Sequence, residues 1–128
     1  MQSQKYFANT ITSPPGKVFL WLFFAVFLSG CALKNLSPEI VEGGVRFSIK
    51  APDAKRVAIA GSFNRWDTAK DALSGPDGDG VWSITLPLKD GRYEYLFLID
   101  GEKWLPDPSV PSVNDEFGGR NSVIYIRR

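Results

Sequence analysis

The chain has 128 residues, with 15 Lys and Arg against 14 Asp and Glu, no His and a single Cys, a length that fits one domain of about 100–150 residues. Without His the commonest general base, the commonest zinc ligand and every Ser–His or Cys–His pair are gone, and one Cys excludes an internal disulfide or a four-Cys metal site. A formal charge of +1 supplies no basic field for nucleic acid, so a non-catalytic binding or scaffolding module, with no cofactor and no metal, is favoured over an enzyme.

Residues 18–28 read VFLWLFFAVFL, eleven apolar positions preceded by Lys5 and Lys17 and followed by Ser29, Gly30 and Cys31. A basic start, a short apolar core and small residues at its end are the parts of a bacterial export signal. The run is short for a spanning helix, which needs about 20 apolar residues. Leu28-Ser29-Gly30-Cys31 resembles the lipobox of bacterial lipoproteins. That resemblance implies cleavage before Cys31 and attachment of a diacylglycerol to its thiol, with acyl chains of the palmitate kind. A membrane anchor that contains a Cys is the alternative. Ala32, in place of Asp, implies by the same resemblance the outer membrane, on the periplasmic side of the cell envelope. Cleavage after Gly30 leaves residues 31–128 with 13 basic and 14 acidic side chains and removes seven of the 17 aromatics.

The expected organisation is a signal over 1–30, a lipidated Cys31 with a short tether over 31–43, and one domain over 44–128. Twelve flexible residues span on the order of 20 Å, which would hold the domain near the bilayer. Beyond the tether the pattern has period two. Val45, Phe47 and Ile49 alternate with Arg46, Ser48 and Lys50; Val57, Ile59, Gly61 and Phe63 follow the same scheme. Trp82, Ile84 and Leu86 form a third run, Tyr93, Tyr95, Phe97 and Ile99 a fourth, and residues 122–126 a last one. Turn signals at Ala51-Pro52-Asp53, GPDGDG (75–80), Lys89-Asp90-Gly91 and Asp100-Gly101 separate them. Short strands between Gly, Asp and Pro turns predict an all-β, antiparallel β-sandwich of the immunoglobulin-like kind. With so small a core, the aromatics must carry much of it.

Three stretches, VAIAGSFNRWD (57–67), GVWSITLPLKDGRYEYLFLIDGEKWLPDP (80–108) and FGGRNSVIYI (117–126), resemble carbohydrate-binding module family 48. That family includes the glycogen-binding domain of the AMP-activated protein kinase β subunit and the early-set domains of branching and debranching enzymes. The likeness covers about residues 44–127. It implies an early-set sandwich and a weakly held α-1,4-glucan or maltodextrin. It also implies Trp66 and Trp104 as sugar-stacking plates, Asn121 as a ligand to sugar hydroxyls, and Phe117 as an apolar loop residue reaching through the glucan ring.

The chemistry agrees with such a surface. A glucan needs aromatic plates for its C–H faces and polar groups for its rim hydroxyls. Covering about 50–80 Å² of ring at about 25 cal/mol/Å² gives roughly 1–2 kcal/mol per Trp, hence micromolar to millimolar affinity. Trp66, flanked by Arg65 and Asp67, is a poor core residue; folding over the end of the sandwich is its other reading. Asn121 equally suits a turn entering a strand. Trp82 belongs to the core by its period-two partners.

Two positions depart from the kinase-type pattern: Leu96 replaces a Lys on the binding face and Gly119 replaces a Thr. Leu96 and Leu98, if exposed together, would form an apolar patch for a protein partner. A protein-interaction or structural module in the envelope that has lost carbohydrate binding therefore stays open, as does an accessory subunit acting in trans. Asp77-Gly78-Asp79-Gly80 is read as a hairpin turn, since a calcium loop starting at Asp77 would need Glu where Leu88 stands. Glycoside hydrolysis needs two carboxylates across a cleft, and the acids here are scattered in turns.

Overall fold

A computed structural model describes residues 35–128. The apolar run 18–28, the lipobox with Cys31, Ala32 and the first part of the tether lie outside the described residues.

Alternating side chains build eight strands. They are β1 (Glu39–Val41), β2 (Gly44–Lys50), β3 (Val57–Gly61), β4 (Val81–Leu86), β5 (Gly91–Ile99), β6 (Lys103–Leu105), β7 (Ser112–Asn114) and β8 (Arg120–Ile126). One sheet has the order β1-β2-β4, the other β3-β5-β8-β7, with β6 added to the C-terminal half of β5. Every pairing is antiparallel. The expected all-β immunoglobulin-like sandwich is the observed one.

The inward faces meet through aromatic rings. Phe47 of β2 packs edge-on against Tyr95 of β5 at 4.9 Å between centroids, and Tyr95 against Phe97 at 5.8 Å. Val45, Ile49, Val57, Ile59, Leu73, Trp82, Leu86, Ile124 and Ile126 complete the buried cluster. Trp82 lies in the core as its spacing predicts, with its indole N–H donated to the Ala51 carbonyl at 2.9 Å. Segment 71–74 closes one side of the sandwich. Ala72 bridges Ala58 of β3 and Ser74 bridges Ser83 of β4, so two strand edges are covered by the chain itself.

Three expectations change. The tether does not run to residue 43: Glu39–Val41 pair with Val45, Arg46 and Gly44 of β2, and the Arg46 guanidinium bonds the Glu39 carboxylate. The Glu42-Gly43 turn, with Gly43 at φ +90°, lets the chain fold back there. Phe63 does not continue β3. It lies in a 3₁₀ turn, Ser62–Asn64, and reaches the core from the loop, 5.9 Å from Phe47 and 6.2 Å from Tyr93. Leu98 is only 8 % exposed, because β6 lies beside it with Trp104 directly opposite. An exposed Leu96–Leu98 patch therefore does not form.

Asp77 behaves as a turn residue. Its Oδ1 accepts the N–H groups of Asp79 and Val81, both at 2.9 Å, and its carbonyl accepts the Gly80 N–H at 3.0 Å.

Candidate functional site

The outer face of the five-stranded sheet carries an open groove of about 850 Å³. Residues directly opposite in an antiparallel pair share a face. Leu96 pairs Ala60, Glu94 pairs Val123, and Leu98 pairs Trp104, so Glu94, Leu96 and Trp104 point outward together. Asn121, two residues before Val123 on β8, joins them. All four sugar-site residues expected from the sequence, Trp66, Trp104, Asn121 and Phe117, line this one groove. Trp66 is 38 % and Trp104 46 % exposed, so neither is a core residue, and Trp66 is not folded away over the sandwich end.

Trp66 reaches the rim through a tightly built loop. Gly61 ends β3 where a Cβ would come within 2.4 Å of the Glu94 carbonyl oxygen and 2.8 Å of the Tyr95 Cβ; a side chain has no room there. Asn64 is buried: its Oδ1 accepts the Gly61 N–H at 2.9 Å, and its Nδ2 donates to the Ile59 carbonyl and to Asp71 Oδ2. Arg65 and Trp66 follow at φ +56° and +60°. Two successive non-glycine residues in the left-handed region are costly, and a bulky side chain there is an outlier. The Trp66 N–H bond to the Gly61 carbonyl, 2.9 Å, holds the conformation. The local fold accepts strain to present an indole at the surface.

Trp104 is held from below. Three residues on, Asp107 is 3 % exposed. Its Oδ2 accepts the Tyr95 hydroxyl at 2.7 Å, and its Oδ1 accepts both the N–H and the hydroxyl of Ser109. The Asp107 N–H donates to Ser122 Oγ at 2.7 Å. Burial, then the charge of Asp107 and the bond to it, push the Tyr95 phenol well above its ordinary range. The network ties the segment after Trp104 to the residue after Asn121.

The far wall is the β7–β8 loop. Asp115 Oδ1 accepts the N–H groups of Phe117 and Gly119 at 2.8 and 2.7 Å, and the Asp115 N–H donates to the Gly119 carbonyl. Phe117 stands at the tip, 94 % exposed. A Cβ on Gly119 would lie 2.5 Å from Asp115 Oδ2, so this loop closes around a glycine where the kinase-type pattern has Thr.

Glu94 is a site residue that sequence reasoning passed over. Ser62 Oγ accepts its N–H at 3.1 Å, extending the ladder beyond β3. Arg92 donates to its Oε2 at 2.9 Å and the Asn121 amide to its Oε1 at 3.4 Å. The Arg92 bond, helped by Asn121, holds the carboxyl below the usual glutamate range. Its signal was available: Glu94 lies two residues from Leu96, already placed on the binding face, and period two puts both on that face.

The fold and this groove define a small all-β module with two exposed indoles beside the Asn121 amide and the Glu94 carboxylate on an open sheet face. The chain matches the family described as the glycogen recognition site of AMP-activated protein kinase over residues 45–128 and belongs to it. That family is a recognition module, not a catalytic domain. The chain is 39 % identical over 74 residues to the 5'-AMP-activated protein kinase subunit beta-2 of Homo sapiens, covering 58 % of this chain and 26 % of that subunit. It is also 39 % identical over 56 residues to the 1,4-alpha-glucan branching enzyme GlgB of Marinobacter nauticus, covering 44 % of this chain and 9 % of the enzyme. The chain thus spans about a quarter of the kinase subunit and under a tenth of the branching enzyme.

Proposed function

We propose that the protein is a non-catalytic α-glucan-binding module that holds glycogen, starch or maltodextrin chains across the groove. The observation that carries this reading is the pairing of two half-exposed tryptophans in one groove, one of them held at a strained backbone position. Flat indoles cover the C–H faces of glucose rings, while Asn121 and Glu94 meet the hydroxyls at the rim. Each plate contributes roughly 1–2 kcal/mol, so binding is micromolar to millimolar. Family membership supports the same ligand class. Phe117, fully out at the loop tip, is available to a bound chain.

Glycogen cast into a native gel tests the reading. The wild type is slowed relative to a gel without glycogen. Unchanged mobility overturns glucan binding and leaves the module as a surface for an envelope protein partner.

The proposal extends to location: Cys31 carries the lipid, and the domain sits at the outer membrane facing the periplasm. The Leu28-Ser29-Gly30-Cys31 sequence and the short apolar run before it support this. Two or more acyl chains anchor firmly, at about 0.8 kcal/mol per buried methylene. Labelled palmitate fed to expressing bacteria enters the wild-type protein, and Cys31→Ser releases both label and membrane fractionation. Equal labelling of Cys31→Ser contradicts the anchor.

A further inference from the structure

Glu94 places a negative charge on the groove floor, and its two oxygens have different surroundings. Oε2 is bonded by Arg92, whose guanidinium does not line the groove. Oε1 lies on the Asn121 side, where the amide contact is long at 3.4 Å. A carboxylate is an acceptor only, with about four lone-pair positions, so Oε1 keeps acceptor capacity in a groove that Glu94 shares with Asn121 and Leu96. The other charges lining the groove leave an excess of negative charge: Asp115 and Glu116 are acids, and Arg120 is the one cation in the lining.

A sugar hydroxyl and a phosphate ester meet this position differently. The hydroxyl donates to Oε1, a charge-assisted bond. The phosphate has acceptor oxygens and negative charge, so it finds no donor at Oε1 and is repelled. From this we infer that Glu94 is a specificity-determining residue that makes the groove select uncharged glucan chains over chains bearing phosphate esters. The inference rests on the glucan-binding reading above and names which glucans the same groove accepts.

The test compares two ligands by calorimetry on the full chain, in a detergent without a sugar head group. One is maltoheptaose; the other is maltoheptaose phosphorylated on average at every second glucose. The wild type prefers the neutral sugar by about tenfold, the worth of one charge-assisted contact. Glu94→Gln lowers that preference to about twofold or less, because an amide presents a donor as well as an acceptor and no charge. Glu94→Asp keeps the charge and retains the preference, with weaker binding of both sugars. Equal wild-type affinity for the two sugars overturns the inference. So does an unchanged preference in Glu94→Gln, or a loss in Glu94→Asp as large as in Glu94→Gln, which would make the residue structural. A wild type that binds neither sugar overturns the glucan reading itself, an outcome distinct from all of these.

Discussion

Removing both indoles, Trp66→Ala with Trp104→Ala, is expected to lower affinity for maltoheptaose by about 30-fold or more. Each single change costs about 5- to 30-fold, following roughly 1–2 kcal/mol of covered ring face per plate. The two residues rise from separate elements, one from the loop after β3 and one from β6, and share the groove wall. Their effects therefore approach additivity when one glucan chain spans both. Stability should move little for Trp104→Ala, whose side chain is half exposed. Trp66→Ala keeps a Cβ at a left-handed backbone position, so the strain stays, and the loss of a partly exposed indole should change stability by about 1 kcal/mol or less. Calorimetric titration beside a thermal melt separates these effects. Weak binding with an unchanged melt supports the groove; near wild-type affinity in the double variant contradicts it.

Asp107→Ala has the largest expected effect on the fold. It strips Ser109 of two bonds and the buried Tyr95 hydroxyl of its acceptor, leaving that hydroxyl in the core without a partner. Breaking such a buried network costs about 3–5 kcal/mol. For a domain of this size that lowers Tm by about 12–30 °C. Asp107→Asn keeps one acceptor for Tyr95 and should cost about 1–2 kcal/mol. Urea unfolding followed by tryptophan fluorescence measures both. A loss below about 1 kcal/mol for Asp107→Ala would mean that the network contributes little. The backbone bond from the Asp107 N–H to Ser122 Oγ survives the substitution, so the loss falls on the Tyr95 and Ser109 contacts of the side chain.

Much of this architecture was legible from alternation. Val45-Phe47-Ile49 and Tyr93-Tyr95-Phe97 have period two because one face of each strand is buried, and that pattern survives any local accident. The departures come where tertiary contact decides. Phe63 keeps the phase of β3 but leaves the strand, since Asn64 bonds back to Gly61 and turns the chain. Glu39–Val41 is too short to read as a strand until β2 is there to pair with it. Leu98 looks outward by phase and is covered because Lys103–Leu105 docks on β5, a contact between short segments that no local window contains. At the site, the tryptophans stood out because large apolar residues beside charges are unusual. Glu94 did not, because a lone acid on an outward face is ordinary; only its bonds to Arg92 and Asn121 give it a role. The Asp107 bond to Tyr95 was hidden because its partners stand twelve positions apart on different segments.

The central claim is that Trp66 and Trp104 together cover a glucan chain. Its most direct test is the intrinsic fluorescence of the protein during titration with maltoheptaose, with the Trp66→Ala, Trp104→Ala double variant alongside. The account predicts a saturable change in the wild type, with a midpoint in the micromolar to millimolar range, that the double variant lacks. A wild-type signal that stays flat up to about 10 mM sugar, or one that persists in the double variant, would contradict it.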